Sequence, residues 1–316
     1  MAEPASKIQS RRNFIIVAGL VVLGIYVIVP QLGSFHASWG AVKRADSGWI
    51  GVAAAFTFLT YLFAAGTYYL LAAKALRYSQ LVLVQLAAMF VNKLLPAGVG
   101  ALGANYAYLR HRRYNLGQAA ATVAVNNLLG VVGHLLVVLV SILFFTGHIK
   151  PSGFWQQFSW SKLSLGAAVI LLALAILVRV VGKEWFGNAM RAVGEQLASY
   201  KQRRLALLGA LGTSICLTLC NLLCLGACAL ALNIHLPFVA LVVIFSLGVG
   251  GGSAAPTPGG LGGFEGGLFA GALAYHSPAA SALALALLYR LVSYWLPLIG
   301  GALAFAVSQK RKLFTA

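Results

Sequence analysis

Acidic side chains are scarce in this chain, which has 5 aspartates and glutamates against 23 lysines and arginines. The five include no close pair that predicts a carboxylate dyad, and no Walker A, HExxH, CxxC or GxSxG pattern occurs. A glycosyltransferase with a lipid-linked donor would need acidic metal ligands on an outer loop, which Asp46 alone does not supply. These absences argue against an ATP-driven pump and a self-sufficient transferase. We expect no catalytic residue, metal or cofactor.

Long polar segments are also missing. Charged residues make up 9% of the 316 positions and hydrophobic residues 60%, whereas soluble domains carry about 25% charged residues. The longest polar stretch, about 183–204, has the length of one amphipathic helix, so no soluble domain is left over. The composition predicts an all-α polytopic membrane protein. Its net charge of +18 indicates basic cytoplasmic loops. It favours anionic lipid headgroups as partners, and not nucleic acid.

The four cysteines lie on one segment and are spaced four residues apart, at Cys216, Cys220, Cys224 and Cys228. On a helix they drift about 40° per step and form a slanted ladder. Four ligands along one straight helix cannot surround a single ion. We therefore interpret the ladder as small-residue packing, with metal or redox chemistry as the alternative.

Apolar runs of about 20 residues predict six full spans. The first lacks a cleavage site after it, so we expect it to be retained. Lysine and arginine asymmetry orients the chain in the cell membrane with both termini cytoplasmic. The six spans are placed at about 13–29, 49–73, 118–146, 163–181, 205–232 and 277–307.

Two further apolar stretches are broken by proline and glycine, and we interpret them as re-entrant hairpins. The first, 79–109, is predicted to enter from the cytoplasm, and the second, 237–275, from outside. Irregular backbone at membrane depth is tolerated only where protein buries it or a cavity contains water, so the breaks predict a cavity. The breaking residues are Pro96, Gly98 and Gly100 in the first hairpin, and Pro256, Pro258, Gly259, Gly260 and Gly262 in the second.

The order span, span, hairpin, span occurs twice, in opposite orientations. Placing Pro96 on Pro258 also aligns Gly98 with Gly260 and Gly100 with Gly262 without a gap. This pattern is typical of inverted-repeat transporters, whose broken helices meet near the midplane. We therefore predict an inverted 3+3 repeat with halves 1–160 and 161–316.

Glu265 and Arg290 are the strongest candidates for a substrate-binding site, because ionisable groups inside apolar segments are rare and usually functional. Arg290 would bind an anionic group such as a lipid phosphate while Glu265 orients it, binds a cationic headgroup or carries a proton. The alternative is a neutralised pair that locks the hairpin. The remaining candidates for substrate binding are polar residues of the first half and one tyrosine of the last span: Asn92, Lys93, Asn126, Asn127, His134 and Tyr294.

Each of these candidates has a plainer interpretation. His134 shares a helical face with Asn127 and Gly130, but a single histidine there is more often a hydrogen-bonded packing residue. Lys93 would contact phosphate or extend to the interface. The glycines spaced four apart from Gly259 to Gly271 would pack against a neighbouring helix or a ligand. A basic rim follows the first hairpin, either as solvated charge or as a contact for anionic headgroups; it comprises Arg110, Arg112 and Arg113.

The runs PTPGGLGGFEGGLFAG and ALLYRLVSYWLPLIGG resemble the lysylphosphatidylglycerol synthase transmembrane family, also called flippase-like domain proteins. The resemblance covers nearly the whole chain. It implies roles for residues of the matching motif: Pro258, Gly259, Gly260, Gly262, Glu265 and Arg290. The first half departs from the family pattern, with Asn126 and Asn127 where many members have a Glu-Arg-type pair and Gly103 where an acidic residue is expected.

This resemblance implies a membrane domain without the soluble aminoacyl-transferase found in the bacterial multiple peptide resistance factors. There a related domain is implicated in moving lysyl-phosphatidylglycerol between leaflets, and an archaeal branch is associated with dolichol-linked glycosylation. Our first hypothesis is a flippase or scramblase-like transporter of an anionic or glycosylated lipid, aminoacylated or polyprenyl-linked. The alternatives are a non-transporting partner of a membrane enzyme of lipid or glycan synthesis and an intramembrane lipid-modifying transferase. Assembly into a homo-oligomer stays open.

Overall fold

The computed structural model describes residues 39–95, 99–145, 203–255 and 257–314, with the single positions 191, 194 and 198. Two predicted spans, about 13–29 and 163–181, lie outside the described residues. Pro96, Gly98 and Pro256 lie outside them as well. The described part of the chain is helical and contains no β-strand, as the apolar composition predicts.

Nine α-helices are found in the described ranges, and the last two are joined by a π-helical turn at Leu291–Trp295. Four elements are long and apolar enough to cross a membrane, namely α1, α4, α5 and the continuous helix formed by α8, the turn and α9. The bounds are α1 Ser47–Leu71, α2 Tyr78–Leu94, α3 Val99–His111, α4 Leu116–Phe145, α5 Arg204–Ala231, α6 Phe238–Ala254, α7 Gly263–Ala274, α8 Ala279–Arg290 and α9 Leu296–Lys310.

Helices α2 and α3 form the first of two helical hairpins, at the place predicted from Pro96. They run antiparallel, since Gln85 Nε2 of α2 donates to Asn105 Oδ1 of α3 at 2.7 Å. Near the tip, a Cβ on Gly100 would lie 2.6 Å from the Asn92 backbone. A glycine at this position therefore lets the two helices of the hairpin meet backbone to backbone.

Helices α6 and α7 form the second hairpin, and the glycines spaced four apart explain how closely they pack. A Cβ on Gly271 would lie 2.8 Å from Ile244 Cα, and one on Gly267 would overlap the Leu247 carbonyl oxygen. On the sequence alone this stripe suited either a neighbouring helix or a ligand. In the structure its three members on α7, at positions 263, 267 and 271, pack against α6, whereas Gly259 lies against the Tyr294 ring.

Helices α1 and α5 pack antiparallel along their whole length. At one end the backbone N–H of Asp46 donates to Ala231 O at 2.9 Å, and at the other Arg203 Nη1 donates to Ala72 O at 2.8 Å. Between them, the hydroxyl oxygens of Thr67 and Thr213 lie 2.9 Å apart. The cysteines of α5 lie on this packed helix: Cys220, Cys224 and Cys228 are buried, Cys216 is half-buried, and none forms a disulfide.

The last helix changes its hydrogen-bonding pattern just before Pro297. Pro297 has no N–H and cannot donate to the carbonyl of Ser293, four residues earlier. The chain adopts a π-helical turn over the preceding residues, closed by the bond from Leu296 N to Leu291 O. Beyond it, α9 packs against α2, with the rings of Phe305 and Phe90 5.8 Å apart. The π-helical turn and Pro297 thus leave a backbone acceptor beside the first hairpin.

Basic residues gather at one end of the helix bundle, where α1 ends, α3 ends and α5 begins. Lys74 Nζ donates to Arg113 O at 2.5 Å, and Arg110 Nη1 donates to Tyr114 O at 2.8 Å. Arg112 donates to Gln80 Oε1 and lies over the Tyr108 ring. Of the predicted rim, the side chains of Arg110 and Arg112 are therefore held by a backbone carbonyl, an amide and an aromatic ring, while Arg113 accepts from Lys74 through its own carbonyl.

We expect Gly267→Ala to lower the free energy of unfolding by about 1–3 kcal/mol, because the added methyl group would overlap the α6 backbone. Gly266→Ala is the matched control, since a Cβ at this neighbouring position meets nothing within 4 Å. It should be neutral or slightly stabilising. Unfolding in detergent, followed by tryptophan fluorescence, measures both. Equal stability of the two variants would contradict the packing assigned to the stripe.

Candidate functional site

Arg290 and Glu265 form an ion pair between the last residue of α8 and the first turn of α7. Arg290 Nε donates to Glu265 Oε1 at 2.6 Å, and the side chains are 8% and 20% exposed. The other carboxylate oxygen, Oε2, accepts from Gly262 N at 2.8 Å. A carboxylate at a helix N-terminus is stabilised by the helix dipole and by the backbone N–H groups there. Glu265 therefore caps α7 and neutralises Arg290 at once.

Arg290 also holds the irregular segment before α7. Its Nη2 donates to Gly259 O at 3.0 Å, and its guanidinium carbon lies 4.3 Å from the Tyr294 ring centroid and 5.1 Å from that of Phe264. Gly259 has φ +59°, and a Cβ there would overlap the Tyr294 ring. The glycine that breaks the helix thus lets its carbonyl reach the arginine.

Lys93 connects the first hairpin to the last helix. It lies in the last turn of α2 and is 8% exposed. Its Nζ donates to the carbonyls of Ser293, at 3.3 Å, and Tyr294, and it lies 4.4 Å from the Tyr294 ring centroid. Tyr294 OH donates to Lys93 O at 3.2 Å. The acceptor freed by Pro297 is thus taken by a cation from the other half of the chain.

These groups surround one cavity of about 450 Å³, which has the size of a small-molecule site. Both hairpins contribute to its wall, and so does the π-helical turn. Its charged side chains are Lys93 and Arg290, and Glu265 balances one of the two. The cavity therefore carries an excess of positive charge. We name it the cationic cavity. Six residues of its wall identify it: Asn92, Lys93, Gly259, Gly260, Arg290 and Tyr294.

A second cavity, of about 570 Å³, lies beside the first and shares Asn221, Phe245 and Val249 with its wall. It is lined by amide side chains from several helices and by His134, whose Nε2 lies 3.1 Å from Ser246 Oγ. We name it the amide cavity. The amides are Gln85, Asn105, Asn126, Asn127 and Asn221.

The structure sorts the candidates predicted from the sequence into three places. Asn92, Lys93, Arg290 and Tyr294 meet at the cationic cavity, with Glu265 bonded to Arg290. Asn126, Asn127 and His134 face the amide cavity together with Gly130. The rim arginines belong to neither wall and lie at the basic end described above.

Residues that line both cavities were not predicted from the sequence. Asn221 lies in the cysteine-bearing helix α5, and its Oδ1 accepts from Tyr289 OH at 3.3 Å. Phe245 lies 5.9 Å from His134 and 6.2 Å from Phe264 between ring centroids. An asparagine inside an apolar span was a usable signal for Asn221. No pattern distinguishes Phe245 from the apolar residues around it.

The fold and this site define an integral membrane protein with a positively charged cavity among broken helices. The chain belongs to the family described as the lysylphosphatidylglycerol synthase TM region, which matches residues 15–301. This confirms the resemblance seen in the sequence. A comparison with curated individual proteins returned no match.

We expect Arg290→Met to lower the free energy of unfolding by about 3 kcal/mol, because it leaves the half-buried Glu265 carboxylate without a counter-charge. Adding Glu265→Gln should recover about 1–3 kcal/mol of that loss, since glutamine keeps an acceptor for Gly262 N. Asp46→Asn is the control, as Asp46 caps α1 and bonds to neither residue. A double variant whose loss equals the sum of the single losses would contradict the pairing.

Lys93→Met should lower the free energy of unfolding by about 1–3 kcal/mol, because it leaves the carbonyls of Ser293 and Tyr294 without their cationic donor. Lys310→Met removes a lysine that is exposed at the end of α9 and should change stability by no more than about 0.5 kcal/mol. Detergent unfolding compares the two variants. A loss no larger at Lys93 than at Lys310 would show that this contact does not hold the hairpin to the last helix.

Proposed function

We propose that the protein moves a lipid with an anionic headgroup between leaflets, the headgroup passing through the two cavities while the acyl chains stay in the bilayer. The observation that carries this proposal is the convergence of both hairpins on a cavity lined by two basic side chains, Lys93 and Arg290, of which Arg290 is paired with Glu265. A phosphate is the headgroup component that such a charge balance favours. Lys93 and Arg290 would bind it, and Tyr294 would keep both cations in place.

The partial neutralisation of the site suits a transporter. Glu265 accepts a hydrogen bond from Arg290 Nε, and backbone carbonyls accept hydrogen bonds from Lys93 Nζ and Arg290 Nη2. A headgroup must therefore compete with internal partners, and this keeps its binding weak enough for release. Two unpaired cations in the same place would hold a phosphate too tightly to let it leave.

An inverted repeat would give the two halves equivalent roles, with halves 1–160 and 161–316. The antiparallel packing of α1 on α5 supports it, because these helices are equivalent in the proposed repeat. The hairpins also pack in an exchanged manner: α2 contacts α9 of the second half, and α6 contacts α4 of the first, through Ser246 and His134. In an inverted repeat, such exchange would bring the two hairpins together at one site, as in transporters built from inverted repeats.

Re-entrant hairpins account for the lengths of the four shorter helices. Helices α2 and α6 have 17 residues each, α3 has 13 and α7 has 12. At 1.5 Å per residue they measure about 18–26 Å, less than the hydrocarbon core of about 30 Å. Together with the predicted spans at 13–29 and 163–181, this would give six full spans and two hairpins. The basic end would face the cytoplasm, together with both termini.

The transport hypothesis predicts that Arg290→Ala reduces leaflet transfer of a tail-labelled phosphatidylglycerol by about tenfold or more, since it removes a charge-assisted contact to phosphate. Transfer is measured in proteoliposomes by dithionite reduction of the outer-leaflet label. Lys310→Ala removes an exposed cation and should leave the rate unchanged.

The double variant Arg290→Ala/Glu265→Ala separates folding from function. It removes both buried charges, so its stability should exceed that of Arg290→Ala, while transfer should stay low. Wild-type rates in either Arg290 variant would discard the role of Arg290. Absence of transfer by the wild-type protein would favour a non-transporting membrane partner.

A further inference from the structure

The amide cavity presents neutral hydrogen-bonding groups and no formal charge of its own. Asn127 Nδ2 donates to Val123 O of its own helix at 3.0 Å, so the carbonyl oxygen of its side chain is left to accept. Gln85 uses Nε2 on Asn105 and likewise keeps Oε1 as an acceptor. Asn126 adds a half-buried primary amide that offers both donors and an acceptor. The wall therefore offers donors and acceptors side by side.

Hydroxyl groups match such a wall, because each of them donates one hydrogen bond and accepts others. An ammonium group only donates, and burying it is costly unless a carboxylate accompanies it. The two acidic side chains in the described ranges are already engaged: Asp46 at the start of α1 and Glu265 with Arg290. The neighbouring cations would also repel an ammonium group.

The two cavities adjoin, and we infer that one headgroup extends from one into the other. Asn221, Phe245 and Val249 belong to both walls. In that arrangement, a phosphate held by Lys93 and Arg290 directs the group esterified to it toward the amide cavity, whose wall includes Asn126 and Asn127. The charges of the cationic cavity and the amides of the other thus select two successive parts of one molecule.

We propose that the substrate is a lipid phosphate carrying an uncharged polyhydroxyl group, a sugar or a polyol, and not a cationic aminoacyl lipid. This inference rests on the proposed site and deepens it. The residues that determine specificity are Asn126 and Asn127, which contact the hydroxyl groups. Lys93 and Arg290 contact the phosphate that every candidate shares.

Binding to the purified full-length protein in detergent tests the inference separately from transport. The probes are phosphatidylinositol, polyprenyl-phosphoryl-glucose, phosphatidic acid and lysyl-phosphatidylglycerol. We expect at least one of the first two to bind about tenfold more tightly than the last two, since a site built for hydroxyl groups rejects analogues that lack them. Which of the two binds more tightly identifies the carrier as a glycerolipid or a polyprenyl lipid.

Asn126→Leu/Asn127→Leu should weaken binding of the preferred lipid to the level of phosphatidic acid and leave phosphatidic acid unaffected, which also shows that the variant is folded. Ser141→Ala is the matched control on α4, because Ser141 bonds to its own helix and belongs to neither wall. Tightest binding of lysyl-phosphatidylglycerol, or unchanged preference in the double variant, would overturn the inference. If no tail-labelled lipid crosses the proteoliposome membrane, the transport proposal fails while the binding result still decides this one.

Discussion

The ion pair between Arg290 and Glu265 is the interaction on which the rest of the site depends. A charge in an apolar span is costly, and a partner on the next helix reduces that cost for both. The pair has a definite geometry because Glu265 also accepts from Gly262 N at the start of α7. Arg290 in turn donates to Gly259 O. Two side chains thus hold Gly259 and Gly262, in the irregular segment before α7, against the end of α8.

Breaks in the helices supply the acceptors that make buried cations tolerable. Backbone carbonyls normally bond within a helix, so an unbroken bundle has few to offer. Here Gly259, in a left-handed conformation, offers its carbonyl to Arg290, and Pro297 leaves the Ser293 carbonyl for Lys93. The proline and glycine residues that prevent regular helices are therefore the ones that allow charge in the site. Broken backbone and buried cations form one arrangement.

Apolar length, charge and helix-breaking residues allowed much of this fold to be predicted. The predicted segments 49–73, 118–146 and 205–232 fall within a few residues of α1, α4 and α5, because each is a long apolar run. Both hairpins occur where proline and glycine interrupt shorter runs. Glu265 and Arg290 were predicted as site residues because a charged residue within an apolar segment can be recognised from the sequence. Their pairing distance, and the place of Lys93 beside Tyr294, depended on contacts between distant segments.

The sequence by itself determined the class of protein, its helical segments and the charged residues of the site, since these follow from local hydrophobicity and local backbone chemistry. Only the tertiary structure decided that Lys93 bonds across 201 positions to Tyr294 and that Asn221 and Phe245 join two cavities. Such contacts depend on how helix faces pack. The sequence of a helix face does not show whether its side chains contact lipid, another helix or a cavity. The glycines of α7 illustrate the same limit: their spacing predicts close packing, and the fold alone selects α6 as the neighbour.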